Sequence, residues 1–332
     1  MIVYFNKKGG MAVPDIGKRN RLKARFTQRS LYAGAVSSIV KYTLLAGLCF
    51  IILYPFIVKF TSVFMSISDI ADQTVMFVPR HPTLFNLTTV IEETGYYRSL
   101  LNTSMLSLGT AVLQTIFCAV IGYGFAKFAF RGNKIVFALV IFTMIVPPGA
   151  LSLPYYFTFR EFDLAGVFSL LFHGPSFRTL DTFFPMAFIS MVGLGFKNGL
   201  YIFMMRQFFT GLPQELSEAA EVDGAGVFRT FLRINLPQAR SMLLTIFLFS
   251  FSWQWTDSYY SLMFFPNVDT LGKVVSVAGI VSVNGAPLQA NSMLSSVMLN
   301  TAAFLVILPL MLMYMVAQKW FVQGVESSGI VG

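Results

Sequence analysis

Acid is scarce in this chain: 332 residues carry fifteen Asp and Glu, two His and two Cys. The cysteines, Cys49 and Cys118, lie in separate apolar runs, which excludes a disulfide framework and a cysteine metal cluster. His81 and His173 stand alone, without the spacing of metal ligands, so no metal site is expected. No G-x-x-x-x-G-K-[ST] phosphate loop occurs, and the "GLGFKNG" at 193–199 has neither its spacing nor its context. With no grouping of nucleophile, base and orienting residue either, the chain is expected to be neither an ATPase nor any other enzyme, and to hold no cofactor of its own.

Charge of either sign is thin. Charged residues make up 12% of the chain, about half the roughly 25% of a soluble domain. In its place are long apolar runs, such as LLAGLCFIILYPFIV at 44–58 and FLVILPLMLMYMV at 304–316. They are apolar all round, whereas the helices of a large soluble protein would show a polar face. With flanking residues they reach the roughly 20 residues that cross a bilayer. The expectation is an all-α integral membrane protein with six spans, at about residues 39–66, 101–126, 134–156, 184–208, 241–265 and 296–318.

The net charge of +9 is placed for topology, not for nucleic acid. Residues 1–38 hold eight Lys and Arg against the single acid Asp15. Both this basic region and the apolar run after it are too long for a cleaved signal peptide. Lys127, Arg131 and Lys134 follow the second span, Arg206, Arg229, Arg233 and Arg240 lie around the 209–240 segment, and Lys319 follows the last span. These places lie on one side of a six-span chain, so both termini are expected in the cytoplasm. The chain then divides into a basic tail (1–38), a permease domain (39–318) with an interior loop at 209–240, and a short tail (319–332). Loops at 67–100, 157–183 and 266–295 face outward.

The scarce acids gather in that interior loop. Glu215, Glu218, Glu221 and Asp223 fall within PQELSEAAEVDGAG at 213–226. Pro213 suits a first helical turn, Glu215 and Glu218 suit the positive end of a helix dipole, and Gly224 supplies a stop. This predicts about three turns, roughly 16 Å, then a second helix, GVFRTFLRINL, up to Pro237. Two readings fit the acids. They solubilise a surface helix, or they orient a basic partner toward the bare surface left by Ala219 and Ala220.

Glu218-Ala219-Ala220, Asp223-Gly224-Ala225, Phe231, Ile234 and Leu236-Pro237 resemble the EAA loop of binding-protein-dependent ABC importer permeases. The carbohydrate-uptake subgroup, of the maltose-transporter second-permease type, is the most similar. Asn102, Val146-Pro147-Pro148 through Pro154, Arg206-Gln207-Phe208 before Pro213, and the ending Gln318-Lys319-Trp320-Phe321-Val322-Gln323-Gly324 also resemble it. The likeness covers roughly 40–332 and departs at Gln238-Ala239-Arg240, where the family often carries a second proline. It implies a coupling helix between spans four and five that inserts into a cleft of a cytoplasmic ATPase. Glu218, Ala219, Ala220 and Gly224, with Glu215 and Asp223 beside them, would form the docking surface. The implied assembly is a second permease, two ATPase subunits carrying ATP and Mg, and an extracytoplasmic solute-binding protein, in a bacterial inner membrane. The solute would be a sugar, an oligosaccharide with acidic ones included. The alternatives are a secondary transporter or channel not driven by ATP, and a membrane scaffold that moves no solute.

Polar groups inside spans mark candidate solute contacts, because a charge at mid-membrane costs about 2.5–3.5 kcal/mol by insertion scales. Lys197 and Asn198 fall in the fourth span. The lysine either snorkels or pairs with a neighbouring subunit, or it lines the pathway. Trp253, Trp255 and Asp257 form the second group, with Tyr259 and Tyr260 following. Its aromatics suit an interfacial belt, and they equally suit the C–H faces of a sugar.

Overall fold

The computed structural model describes the backbone of residues 16–72, 74–163, 177–283, 286–287 and 292–329, and side chains over 37–72, 74–163, 177–281 and 292–318. His173, residues 1–15 and the side chains of the 319–332 tail lie outside what is described.

The chain is nearly all helix. Helix α1 (Ile16–Val63) is followed by α2 (Ile67–Ala71), α3 (Phe85–Glu93) and α4 (Tyr96–Lys127), then α5 (Asn133–Thr143) and α6 (Pro148–Arg160). After α7 (Phe184–Met191) and α8 (Asn198–Gly211) comes the interior loop with α9 (Glu215–Val222), α10 (Val227–Thr230), a π-helical turn (Phe231–Asn235) and α11 (Leu236–Gln238). Then follow α12 (Arg240–Thr256), α13 (Tyr259–Phe264), α14 (Leu271–Ala278), a two-residue hairpin of β1 (Ser282–Val283) and β2 (Ala286–Pro287), and α15 (Met293–Gly329).

Residues up to Val58 form one unit and the rest a second. In the first, Leu44, Leu48, Phe50 and Ile51 are all more than half exposed, an apolar surface suited to lipid rather than water.

Among the described residues, three helices are long and apolar enough to cross a membrane: Ser37–Val63, Tyr96–Lys127 and Met293–Gln318. The third expected span, 134–156, is bent rather than straight, with α5 and α6 meeting at 100°, and counted as one it makes a fourth. Pro148 forces the bend: it pushes Pro147 into extended backbone (ψ 137°) and takes the first position of α6. The fourth and fifth expected spans each divide in two, at 192–197 and at 257–258.

In the second unit α4 is central. One core joins its start to α3, α12, α14 and α15 through Tyr96, Val90, Trp255, Val274 and Met298. Another joins its second half to α8, α12 and the π-helical turn through Tyr123, Tyr201, Met205, Phe231 and Ile246. The third, Phe159, Met186, Ile189, Tyr260 and Phe264, ties α6 and α7 to α13. Asn86 closes the end of α1, its amide donating to the Ser62, Val63 and Met65 carbonyls. Nearby, Asp69 is buried and its carboxylate accepts the His81 backbone N–H at 2.9 Å. That bond, with the His81 ring beside it, holds the Asp69 carboxyl below its ordinary pKa.

Candidate functional site

Two regions carry the chemistry that the sequence singles out. The first is the interior loop. Helix α9 opens at Glu215 rather than at Pro213, which lies just outside it. Its first turn carries Glu215 and Glu218, and the Gln214 side chain donates to Glu218 at 2.8 Å. It ends in a Schellman turn: the Gly224 N–H reaches the Glu221 carbonyl at 3.0 Å and the Ala225 N–H the Ala220 carbonyl at 2.9 Å. Gly224 has φ +78°, a conformation a side chain would strain, so glycine is needed there.

Glu215, Glu218, Ala219, Asp223 and Gly224 are exposed, but Ala220 is buried, so only one of the two alanines adds to the outer surface. Sequence reading passed over two apolar neighbours. Val222, between Glu221 and Asp223, is 88% exposed and Phe228 73%, both outside any membrane-length helix. The second helix is not the regular one expected: α10 passes into a π-helical turn before α11, which carries Pro237 and leads into α12. Behind α9 lies a cavity of about 480 Å³, lined by Tyr123, Lys127, Ser217, Glu218, Glu221 and Thr230.

The second region is the break at 192–197. Breaking a helix frees carbonyls that must find donors away from water. Asn198 donates its amide to the Ser190 carbonyl at 2.8 Å, Gln114 of α4 donates to the Phe196 carbonyl at 3.0 Å, and Ser250 of α12 donates to the Gln114 oxygen. The Tyr155 hydroxyl reaches the Leu194 carbonyl at 3.4 Å. A Cβ on Gly195 would stand 2.9 Å from Gln114 Nε2 and 3.0 Å from Asn198 Oδ1, so the knot closes only around a glycine. Asn198 is therefore a buried brace, while Lys197 is exposed and holds a left-handed φ of +64°.

The Lys197 ammonium lies 4.9 Å from the Trp253 ring and 5.1 Å from the Phe196 ring. Trp253, 45% exposed, thus joins Lys197. Trp255 does not: it is buried in the opposite core and its indole N–H donates to the Val306 carbonyl at 2.9 Å. Asp257 caps α13, its carboxylate accepting the N–H groups of Tyr259, Tyr260 and Ser261 at 3.2, 3.3 and 2.9 Å. Beside Lys197 is a cavity of about 410 Å³ whose wall includes Met144, Pro148, Tyr155, Phe196 and Tyr260. Gln114, a lone buried amide in an apolar span, is the residue that an intramembrane-polar criterion finds and charge alone does not.

Residues 115–327 match the family described as binding-protein-dependent transport system inner membrane component. The chain is 24% identical over 280 residues to the melibiose/raffinose/stachyose import permease protein MelC of Bacillus subtilis, covering 84% of this chain and 91% of that one. It is also 24% identical over 284 residues to the sn-glycerol-3-phosphate transport system permease protein UgpE of Yersinia pestis, covering 84% and 92%. A solved bacterial ABC transporter involved in the import of the acidic polysaccharide alginate matches with a TM-score of 0.67 at 23% identity, covering 87% of this chain and 98% of that one. At that identity the likeness is one of fold.

Proposed function

Because the chain belongs to the family of binding-protein-dependent transport system inner membrane components, we propose that it is the permease subunit of an ATP-driven importer of oligosaccharides and forms half of the translocation pathway. The interior loop carries this reading: a short acidic helix closed by Gly224, with Val222 and Phe228 bare at its edge. The exposed Val222 between Glu221 and Asp223, with Phe228 exposed a few residues on, fits a partner surface that is apolar at its centre and basic around it. Helix α9 is the coupling helix, and Glu215, Glu218, Ala219, Asp223 and Gly224 meet the ATPase. Ala220 supports this surface from behind.

The rest of the assembly follows from that role. A second permease, two ATPases holding ATP and Mg, and an extracytoplasmic binding protein complete the transporter, and this chain needs no cofactor. Six passages with both termini in the cytoplasm accommodate the charge distribution, with the broken stretches 184–211 and 240–264 each counted as one passage. Relatives such as MelC support a sugar. Lys197, Asn198 and Trp253 belong to the solute path, Asn198 as a brace. Trp255 and Asp257 hold the surrounding helices.

Disulfide cross-linking tests the docking. A cysteine replacing Ala219 is expected to link to the co-expressed ATPase carrying cysteines around its permease-facing cleft, and one replacing Ser38 to resist impermeant thiol reagents in intact cells. Linkage of Ala219→Cys only to the extracytoplasmic binding protein would contradict both the docking and the topology.

A further inference from the structure

We infer that Lys197 and the cavity beside it form an anion subsite that takes a carboxylate-bearing sugar ring, a uronate, as the solute passes. This deepens the sugar-importer reading and rests on it.

Lys197 lies near the middle of 184–211, the interrupted fourth passage, and its side chain is exposed. Among the described residues, none of the ion pairs includes it. An ammonium at mid-depth is not stable against acyl chains, so its exposed side faces a watered path or another protein group. What it does touch are π faces, Trp253 at 4.9 Å and Phe196 at 5.1 Å. These hold the cation in place without neutralising it.

The backbone points the same way. A non-glycine residue at φ +64° is strained, and glycine would occupy the position without that cost. Lysine stands there instead, and Gln114 fixes the carbonyl of the residue just before it. Helix α8 starts at the next residue, so its positive end adds to the same potential.

The site thus offers two recognitions. The charge selects an anion, and the aromatic rings on the cavity wall, Tyr155, Phe196 and Tyr260, offer a face to the C–H side of a sugar. The adjoining cavity of about 410 Å³ lies in the range of small-molecule sites, roughly 300–1,000 Å³. A phosphate on a small polyol would satisfy the charge but leave the ring face unused. A uronate uses both.

Uptake by cells lacking the chromosomal copy and complemented with wild type, Lys197→Met or Lys197→Arg tests this. The probes are trigalacturonate, its methyl ester (the same rings without charge) and raffinose. Wild type is expected to favour the acid over the ester. Lys197→Met should lower the acid-to-ester ratio at least about tenfold, the scale of one charge-assisted hydrogen bond, and Lys197→Arg should restore it. Wild-type uptake of raffinose without either galacturonide overturns the subsite and leaves the sugar reading intact. So does an unchanged ratio in Lys197→Met, or a loss of both galacturonides together as the second permease dissociates, which assigns the charge to a subunit contact. No uptake of any of the three probes by wild type overturns the sugar reading itself.

Discussion

The helix at 215–222, proposed as the coupling helix, and the break at 192–197 are close in sequence and built in opposite ways. The helix is local: its acids, its glycine stop and its last hydrogen bonds all come from residues 214–225. The break is assembled from afar, its carbonyls answered by Gln114 of α4, which is held in turn by Ser250 of α12. One exposes its working surface, whereas the other buries a polar knot to present a single cation. A local device can be carried intact on a moving loop. A long-range knot shifts only when the helices around it shift, which fits the proposed place of the break in the solute path.

The largest effect is expected at the knot. Gln114→Leu leaves the Phe196 carbonyl and the Ser250 hydroxyl unpaired, at about 1–3 kcal/mol for each group. Thermal unfolding of the purified complex should move to clearly lower temperature while ATPase co-purification is retained. Unchanged unfolding would show that the break is held by something else.

Gly224→Val strains the end of the proposed coupling helix by about 1–2 kcal/mol, the cost of a left-handed conformation for a side-chain residue. Its effect should be the converse: membrane insertion and unfolding stay near wild type while ATP-driven uptake and ATPase co-purification fall. Normal docking in this variant would remove 213–226 from the coupling role.

The two regions were unequally legible in the sequence for the same reason. A glycine stop, a proline and clustered acids act within one turn of themselves, so α9 could be placed to within two residues. Lys197 was visible as a cost, but its pairing with Trp253 rather than Trp255 depends on which face of α12 meets the break. The Asp257 cap and the bend at Pro148 are local and were readable. Apolar length masks them, since a continuous apolar run passes through both. Gln114 needed a partner distant in sequence, which no periodicity supplies.

Smaller effects sharpen the contrast. Glu218→Lys reverses a charge in the first turn of α9, where the dipole contributes about 0.3–1 kcal/mol. ATPase affinity should weaken severalfold, and the difference from wild type should shrink as salt rises. A variant at Lys197 should show no such docking response.

The smallest effect concerns neither region and serves as a control. Asp69 has its pKa lowered by the His81 N–H. Its contribution to stability is therefore complete above the ordinary carboxyl value of about 3.9 and is lost as pH falls through the lower folded value. Asp69→Asn should flatten the acid limb of unfolding without altering uptake at neutral pH. An unaltered acid limb would place the acid sensitivity elsewhere.

The most direct test of the account is solute accumulation by proteoliposomes containing the complete transporter and its binding protein, with ATP enclosed and ion gradients clamped at zero. Raffinose and trigalacturonate serve as probes. Accumulation of a sugar is expected to require hydrolysable ATP and to disappear with Gly224→Val. Accumulation that proceeds without ATP and collapses only when an ion gradient is removed would contradict it.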